Sequence, residues 1–242
     1  QELASVKRAY LHRLEARFRT LYLYGLDARR HAQQQSGHAL ELQAVYVPLN
    51  AASPAAAGAQ SPTSGTAESS AMSSQGSHAA ARAIESGPSA LQRIGQHGRA
   101  IVRGSRGSGK STLLRFLALA LAERSHNGEC TGLSRLGPTW SHGCPFPVWV
   151  DLRAFHASPY GEHNAAGLCR YLAAAWNMSA EQFVHQVLLA GGLYFLFDGL
   201  EVAPAAVASF YERYKQTDNL FLLTSQVYVD LQKQALHPLR DL

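Results

Sequence analysis

The chain has 242 residues, 46% of them hydrophobic, enough to bury a substantial core in one globular domain with some chain to spare. Its net charge of +5 rests on 22 basic residues, of which only Lys7, Lys110, Lys215 and Lys233 are lysines. The arginines are scattered, and no basic block argues for a nucleic-acid site.

From Glu2 to about Tyr24, apolar residues at Leu3, Val6, Tyr10, Leu14, Phe18 and Leu21 recur at three- and four-residue steps, which predicts an amphipathic helix. Gly25 and Asp27 punctuate its end, and Leu40–Leu49 reads as a short extended segment ending near Pro48. Between Ala51 and Ala90, 30 of 40 residues are Ala, Ser, Gly or Pro, and Met72 and Ile84 are the only larger apolar side chains. Such a stretch cannot offset its ordering entropy by burial, so it reads as a flexible linker dividing an N-terminal segment, 1–50, from a core, 91–242.

Beyond the linker, strands and helices alternate, which predicts an α/β fold with a central parallel sheet flanked by helices. The strands are expected at Arg99–Arg103, Val148–Leu152, Leu193–Phe197 and Leu220–Thr224. Helices are expected at Lys110–Arg124, about Ala165–Trp176, Ser179–Ala190 and Pro204–Lys215. Ser179 with glutamine three residues on suits a helix start, as does Pro204 in a first turn. The longest apolar runs, Leu113–Ala122 (broken by Arg115) and Leu193–Phe197, fall well short of the roughly 20 residues of a membrane helix. The stretch Ser125–Pro147 reads as a surface loop. Its His126, Cys130, His142 and Cys144 match no common zinc spacing, and three cysteines without a C-x-x-C pair fit a reducing compartment better than a disulfide framework. A cytoplasmic location is therefore expected. The chain opens on Gln1 without an apolar leader, as a segment of a longer protein would.

The chemistry concentrates in Gly104-Ser105-Arg106-Gly107-Ser108-Gly109-Lys110-Ser111, which fits G-x-x-x-x-G-K-[ST] at every defined position between a predicted strand and a predicted helix. Glycines at Gly104, Gly107 and Gly109 let backbone amides converge on phosphate oxygens. The helix start adds its dipole, Lys110 reaches the outer phosphates, and the Ser111 hydroxyl ligates Mg2+. A P-loop needs an acid at the end of another buried strand, and Leu193-Tyr194-Phe195-Leu196-Phe197-Asp198 supplies one as a Walker B strand. Glu201 is the nearest carboxylate for polarising a water. Thr224 and Ser225 give the last strand a polar tip suited to sensing the terminal phosphate or the lytic water.

Four motifs, Ala100–Ala122, Pro147-Val148-Trp149-Val150-Asp151-Leu152-Arg153, Leu193–Val202 and Leu222–Ser225, resemble in order and spacing the NACHT-type NTPases of the STAND class, and the leader Leu40–Leu49 is similar to the segment preceding such domains in bacterial multidomain proteins. The resemblance implies a three-layer P-loop NTPase sandwich in which the strand ending at Thr224 lies between the P-loop strand and the Walker B strand. It places Lys110, Ser111 and Thr112 on phosphates and magnesium, Asp198 on magnesium, Glu201 at the acidic position and Thr224 as sensor. It further implies an ATP/ADP switch that homo-oligomerises on ATP binding and drives effector and sensor domains outside this chain, in antiphage or innate defence. The helical and winged-helix regions of the family would begin near Pro238. Three departures bear on catalysis: the family's second acid after Gly-hydrophobic is replaced by Val202, its arginine after Thr-Ser by Gln226, and Arg106 stands at a loop position where proline or another small residue is common. Binding should survive these changes, whereas hydrolysis is expected to be slow or absent. A nucleotide-holding scaffold that never turns over is the alternative, and another P-loop enzyme, such as a DNA-dependent ATPase or nucleoside kinase, is the third reading.

Overall fold

Strands buried on both faces have no polar alternation to preserve, and the chain's apolar runs form such strands. A computed structural model of the protein describes residues 2–22, 39–47, 49, 88–125, 128–160, 164–226, 236 and 239–241. In chain order the strands are β1 (Thr20–Tyr22), β2 (Ala39–Glu41), β3 (Arg99–Arg103), β4 (Phe146–Asp151), β5 (Leu193–Asp198), β6 (Leu220–Ser225) and β7 (Arg240–Asp241). The last five make one sheet of order β4-β5-β6-β3-β7 in which every pairing is parallel. Every residue from Leu193 to Phe197 is fully buried, each large side chain contributing about 1.5–3 kcal/mol. The predicted strands are therefore all present, with ends shifted by at most a residue or two, and β6 lies between β3 and β5 as the resemblance implied.

Helices flank the sheet: α1 (Glu2–Phe18), α2 (Leu42–Val45), α3 (Ala90–Gln96), α4 (Lys110–Ala122), α5 (Leu152–His156), α6 (Ala165–Ala175), α7 (Ala180–Phe183) and α8 (Pro204–Tyr214). Phe195 and Phe197 meet Phe210 of α8 at ring separations of 5.2 and 6.0 Å. Tyr194, on the opposite face of β5, faces Trp140. From Phe116 to Ala122, α4 is buried on all sides, because the sheet covers one flank and the N-terminal segment another. No helix among the described residues is long and apolar enough to cross a membrane.

The N-terminal segment is part of this core rather than an appendage to it. Tyr10, Leu14 and Phe18, spaced by four, are the buried stripe of α1. Tyr10 stacks on Trp176 at 4.7 Å, its hydroxyl accepts the Trp149 amide at 2.9 Å, and Phe18 packs edge-on against Trp149. The leader was expected to be extended throughout. Ala39–Glu41 is, paired antiparallel with β1, but the chain then coils into α2 over Leu42–Val45 before the backbone extends again at Tyr46. Helical winding buries Leu42 completely and brings Tyr46 into a 4.0 Å stack on Phe116 of α4, which an extended strand with alternating faces would not achieve. Most of the predicted linker, residues 51–87, lies outside the described residues. Its predicted end at Ala90 is already helical: Ser89 and Gln92 form a capping box that starts α3.

Two further expectations are corrected. The helix predicted over Ser179–Ala190 starts on the expected capping box but is α-helical only through Phe183 and continues as a π-helix over Val184–Leu188. The wider turn buries Val187 and Leu188 and leaves the Leu188 carbonyl to accept from the buried Asn219 amide at 2.9 Å. Asn219 in turn accepts from the Leu193 amide, so a polar side chain in the core is satisfied.

The cysteines also differ from the expectation of reduced thiols. Cys130 and Cys144 form a disulfide across the loop between α4 and β4. A separation of 14 residues carries no recognisable pattern. What joins the two sulfurs is the folding of the loop: a bridge between Arg124 and Cys130, a 3-10 helix over Gly132–Leu136, and Ser141 and His142 bonded to the Gly95 and Ile94 carbonyls of α3. Cys169 is the buried free thiol, raised by burial and 3.4 Å from the Tyr214 hydroxyl. Closing a loop of this length stabilises a fold by about 2–3 kcal/mol. Urea denaturation should therefore give an unfolding free energy lowered by that amount under reductant, seen as a lower midpoint, and a Cys130→Ser/Cys144→Ser chain should be insensitive to reductant. An unmoved midpoint would mean that the side-chain contacts alone hold the loop.

Candidate functional site

Parallel pairing puts the carboxyl ends of β3, β6, β5 and β4 side by side, and ligands of open α/β sheets bind at such ends. Pairing of Val102 with Thr224 and of Asp151 with Asp198 aligns the strand tips into one row. A cleft of about 340 Å³ opens over this row.

The chain leaves β3 at Gly104, whose amide donates to the Ser225 carbonyl at 3.3 Å and ties the loop to β6. A Cβ on Gly104 would lie 2.7 Å from Ser108 Oγ and so displace a hydroxyl that Lys110 Nζ donates to. Gly109, at φ +88°, occupies the left-handed region as the residue preceding α4. α4 begins there with no side-chain cap, which leaves its first-turn amides to the loop interior. Lys110 folds over the loop, its Nζ donating to the Gly104 and Ser105 carbonyls at 2.8 and 2.7 Å and to Ser108 Oγ at 3.2 Å. One turn of α4 thus presents Lys110, Ser111 and Thr112 to the cleft.

Asp198 at the tip of β5 is fixed by two hydroxyls. Ser111 Oγ donates to its Oδ1 at 2.8 Å and Thr224 Oγ1 donates to the same oxygen at 2.7 Å, while the Gly199 amide donates to Thr224 Oγ1 at 3.1 Å. Thr224 is buried, so its hydroxyl has a set orientation. The structure therefore brings Ser111, Asp198 and Thr224 into direct contact from three separate elements.

Glu201 sits on a 3-10 turn, Leu200–Val202, and lines the same cleft. Its carboxylate is held by Gln226, through the amide N–H and Nε2 at 3.3 Å each, and by the Arg153 guanidinium at 3.8 Å. Both of its oxygens are thus engaged by protein groups, an arrangement suited to holding the turn in place.

Sequence reasoning passed over Asp151 and Arg153 as site residues. Asp151 ends β4 as Asp198 ends β5, a run of apolar residues closing on an aspartate, with Arg153 two residues on in α5, and that shared pattern was the available clue. Asp151 Oδ1 accepts from the Arg153 and Ala154 amides and caps α5, and Oδ2 lies 3.9 Å from Arg17 of α1. The cleft lining then carries four cations, Arg106, Lys110, Arg115 and Arg153, against the carboxylates Asp151, Asp198 and Glu201. That balance suits an anion carrying several charges together with a cation of its own. Among the described residues no cluster of three or more His, Cys, Asp or Glu side chains is arranged around a common point.

No known protein family's model matches the chain, and no curated protein is significantly similar to it.

Proposed function

We propose that the cleft binds the phosphates of a nucleoside triphosphate with Mg2+, and that the chain is a P-loop nucleotide switch of the NACHT type. The observation that carries this reading is the contact between Ser111 and Asp198, 87 residues apart in the chain, at the mouth of a glycine loop that opens α4. A serine hydroxyl and a carboxylate oxygen 2.8 Å apart supply hard oxygen donors on one side of an ion, the chemistry Mg2+ requires while it keeps waters and phosphate oxygens on its other sides. When bound, the ion would neutralise phosphate charge. The chain's own groups do the rest: loop amides and the α4 dipole receive the phosphates, the Lys110 donors transfer from loop carbonyls to phosphate oxygens, and Thr224 orients Asp198.

Binding is better supported than turnover. Both oxygens of Glu201 are engaged by Gln226 and Arg153, and Val202 supplies no second acid. Slow hydrolysis, acting as the reset of a switch, and a permanently loaded scaffold are the two forms of the reading. Adenine as the base, homo-oligomerisation on ATP, coupling to effector domains and a role in defence all rest on the resemblance, whereas the cytoplasmic setting rested on reduced cysteines and loses that support with the Cys130–Cys144 disulfide.

Calorimetric titration with ATP, with and without Mg2+, tests the site. Asp198→Asn keeps an acceptor for Ser111 but removes the charge. It is expected to abolish the Mg2+-dependent gain in affinity, about 10- to 100-fold, while Mg2+-free binding persists. A wild-type chain that binds neither ATP nor ADP would end the proposal. Multiple-turnover phosphate release, lost in Asp198→Asn, separates the slow ATPase from the scaffold.

A further inference from the structure

The geometry points to Arg153 as the residue that distinguishes a nucleoside triphosphate from a diphosphate in this cleft, by exchanging its contact with Glu201 for the terminal phosphate. This inference rests on the phosphate-binding reading above and assigns a regulatory role within the same site.

The row of strand tips gives the cleft a direction. The glycine loop leaves β3, Thr224 lies on β6, Asp198 on β5, and Arg153 just beyond β4. Each step across the sheet is about 4.8 Å, so the Arg153 backbone stands roughly 14 Å from the loop strand, on the far side of the Ser111–Asp198 pair. Phosphates held by the loop amides and Lys110 fill the near end. A further phosphate extends past Asp198 toward the far end, where Arg153 brings the guanidinium. Arg106 belongs to the loop itself and Arg115 to the second turn of α4, so neither stands at that end.

The contact that Arg153 makes is built for exchange. Its side chain is 69% exposed and reaches Glu201 through one nitrogen at 3.8 Å, a loose pair that separates at little cost. Glu201 keeps both bonds from Gln226 when the guanidinium leaves, so no buried charge is stranded. The Arg153 backbone stays fixed because its amide is anchored to Asp151 Oδ1 at 3.1 Å, and only the side chain needs to swing. A guanidinium fork matches two oxygens of a terminal phosphate, a geometry that one carboxylate oxygen at 3.8 Å does not satisfy. A diphosphate that ends at the loop offers no such partner, and Arg153 then remains on Glu201. Discrimination follows because the contact exists in one liganded state and not in the other.

Equilibrium affinities for ATP and ADP, each with Mg2+, measured by calorimetry on the wild-type chain, Arg153→Gln and Glu201→Gln, test the assignment. In Arg153→Gln the ratio of ATP to ADP affinity is expected to fall about tenfold, with ADP affinity held within twofold and the thermal midpoint unchanged. Glu201→Gln, which removes the competing charge while keeping the side chain's shape, is expected to raise ATP affinity several-fold. An unchanged ratio in Arg153→Gln, an equal loss for both nucleotides, or a fall in ATP affinity in Glu201→Gln would overturn the role of Arg153 while leaving the phosphate site intact. Failure of the wild-type chain to bind either nucleotide would instead overturn the phosphate site, and this role with it.

Discussion

Lys110→Ala is expected to lower ATP affinity by at least about 100-fold while the thermal midpoint of the free chain moves by no more than a few degrees. The two halves of this prediction have different physical origins. Lys110 Nζ makes its three bonds to oxygen atoms of its own loop, partly in contact with solvent, and water replaces it there when the side chain is cut back. The net loss to folding is that of ordinary hydrogen bonds, about 1 kcal/mol. Against a phosphate, the same ammonium is a full charge at the floor of a cleft. Truncating one partner of such a charged pair costs about 3 kcal/mol or more, which is the expected 100-fold. Calorimetry reads the affinity, and thermal melting of the unliganded chain reads the stability. Unchanged affinity would remove the Gly104–Ser111 loop from nucleotide recognition. A collapse of the midpoint would assign Lys110 to holding the loop itself.

How much of this was legible in the sequence depends on how local the cause was. The four strands β3, β4, β5 and β6 could be read because doubly covered parallel strands are uninterrupted apolar runs, and a polar residue marks where each emerges at the carboxyl edge. The glycine spacing and Lys110 could be read because the loop's backbone geometry is set within eight residues. Asp198 followed from its place at the end of such a run. Arg153 was hidden because it follows its strand inconspicuously, and only the register pairing Asp151 with Asp198 carries it to the cleft. The Glu201–Gln226 bonds span 25 residues and join a charged group to a neutral one, a pairing that no charge pattern announces. The disulfide was hidden for a similar reason, since its two cysteines meet only after the loop has packed on α3 and α4. The periodicity of α1 announced a buried face without naming what buries it. The leader Leu40–Leu49 read as extended, but a single helical turn over Leu42–Val45 buries Leu42 and sets Tyr46 on the core, a gain that local β propensity did not outweigh.

Trp176→Ala is expected to cost about 3–5 kcal/mol of stability, the largest loss from a single substitution away from the cleft. Trp176 closes α6 with 1% of its surface exposed, and its ring lies 4.7 Å from Tyr10 of α1, 5.3 Å from Phe146 of β4 and 5.6 Å from Phe183 of α7. Removing it opens a cavity shared by four elements, none of which can move inward without dragging the others. Its Nε1 is buried without a hydrogen-bond partner among the described residues, a desolvated donor that the aromatic packing must outweigh. Trp176→Phe retains a ring and deletes that donor, so it should cost less than half as much as the alanine. Both variants should bind ATP as the wild type does wherever they remain folded, because Phe146 begins β4 and the cleft lies at its other end, about 16 Å away. Urea denaturation supplies the stabilities and calorimetry the affinities. An alanine variant losing under about 1 kcal/mol would show that α1 does not depend on this cluster for its place on the core. A phenylalanine variant as unstable as the alanine one would show that indole shape, rather than the balance of burial against an unpaired N–H, sets the energy of the site.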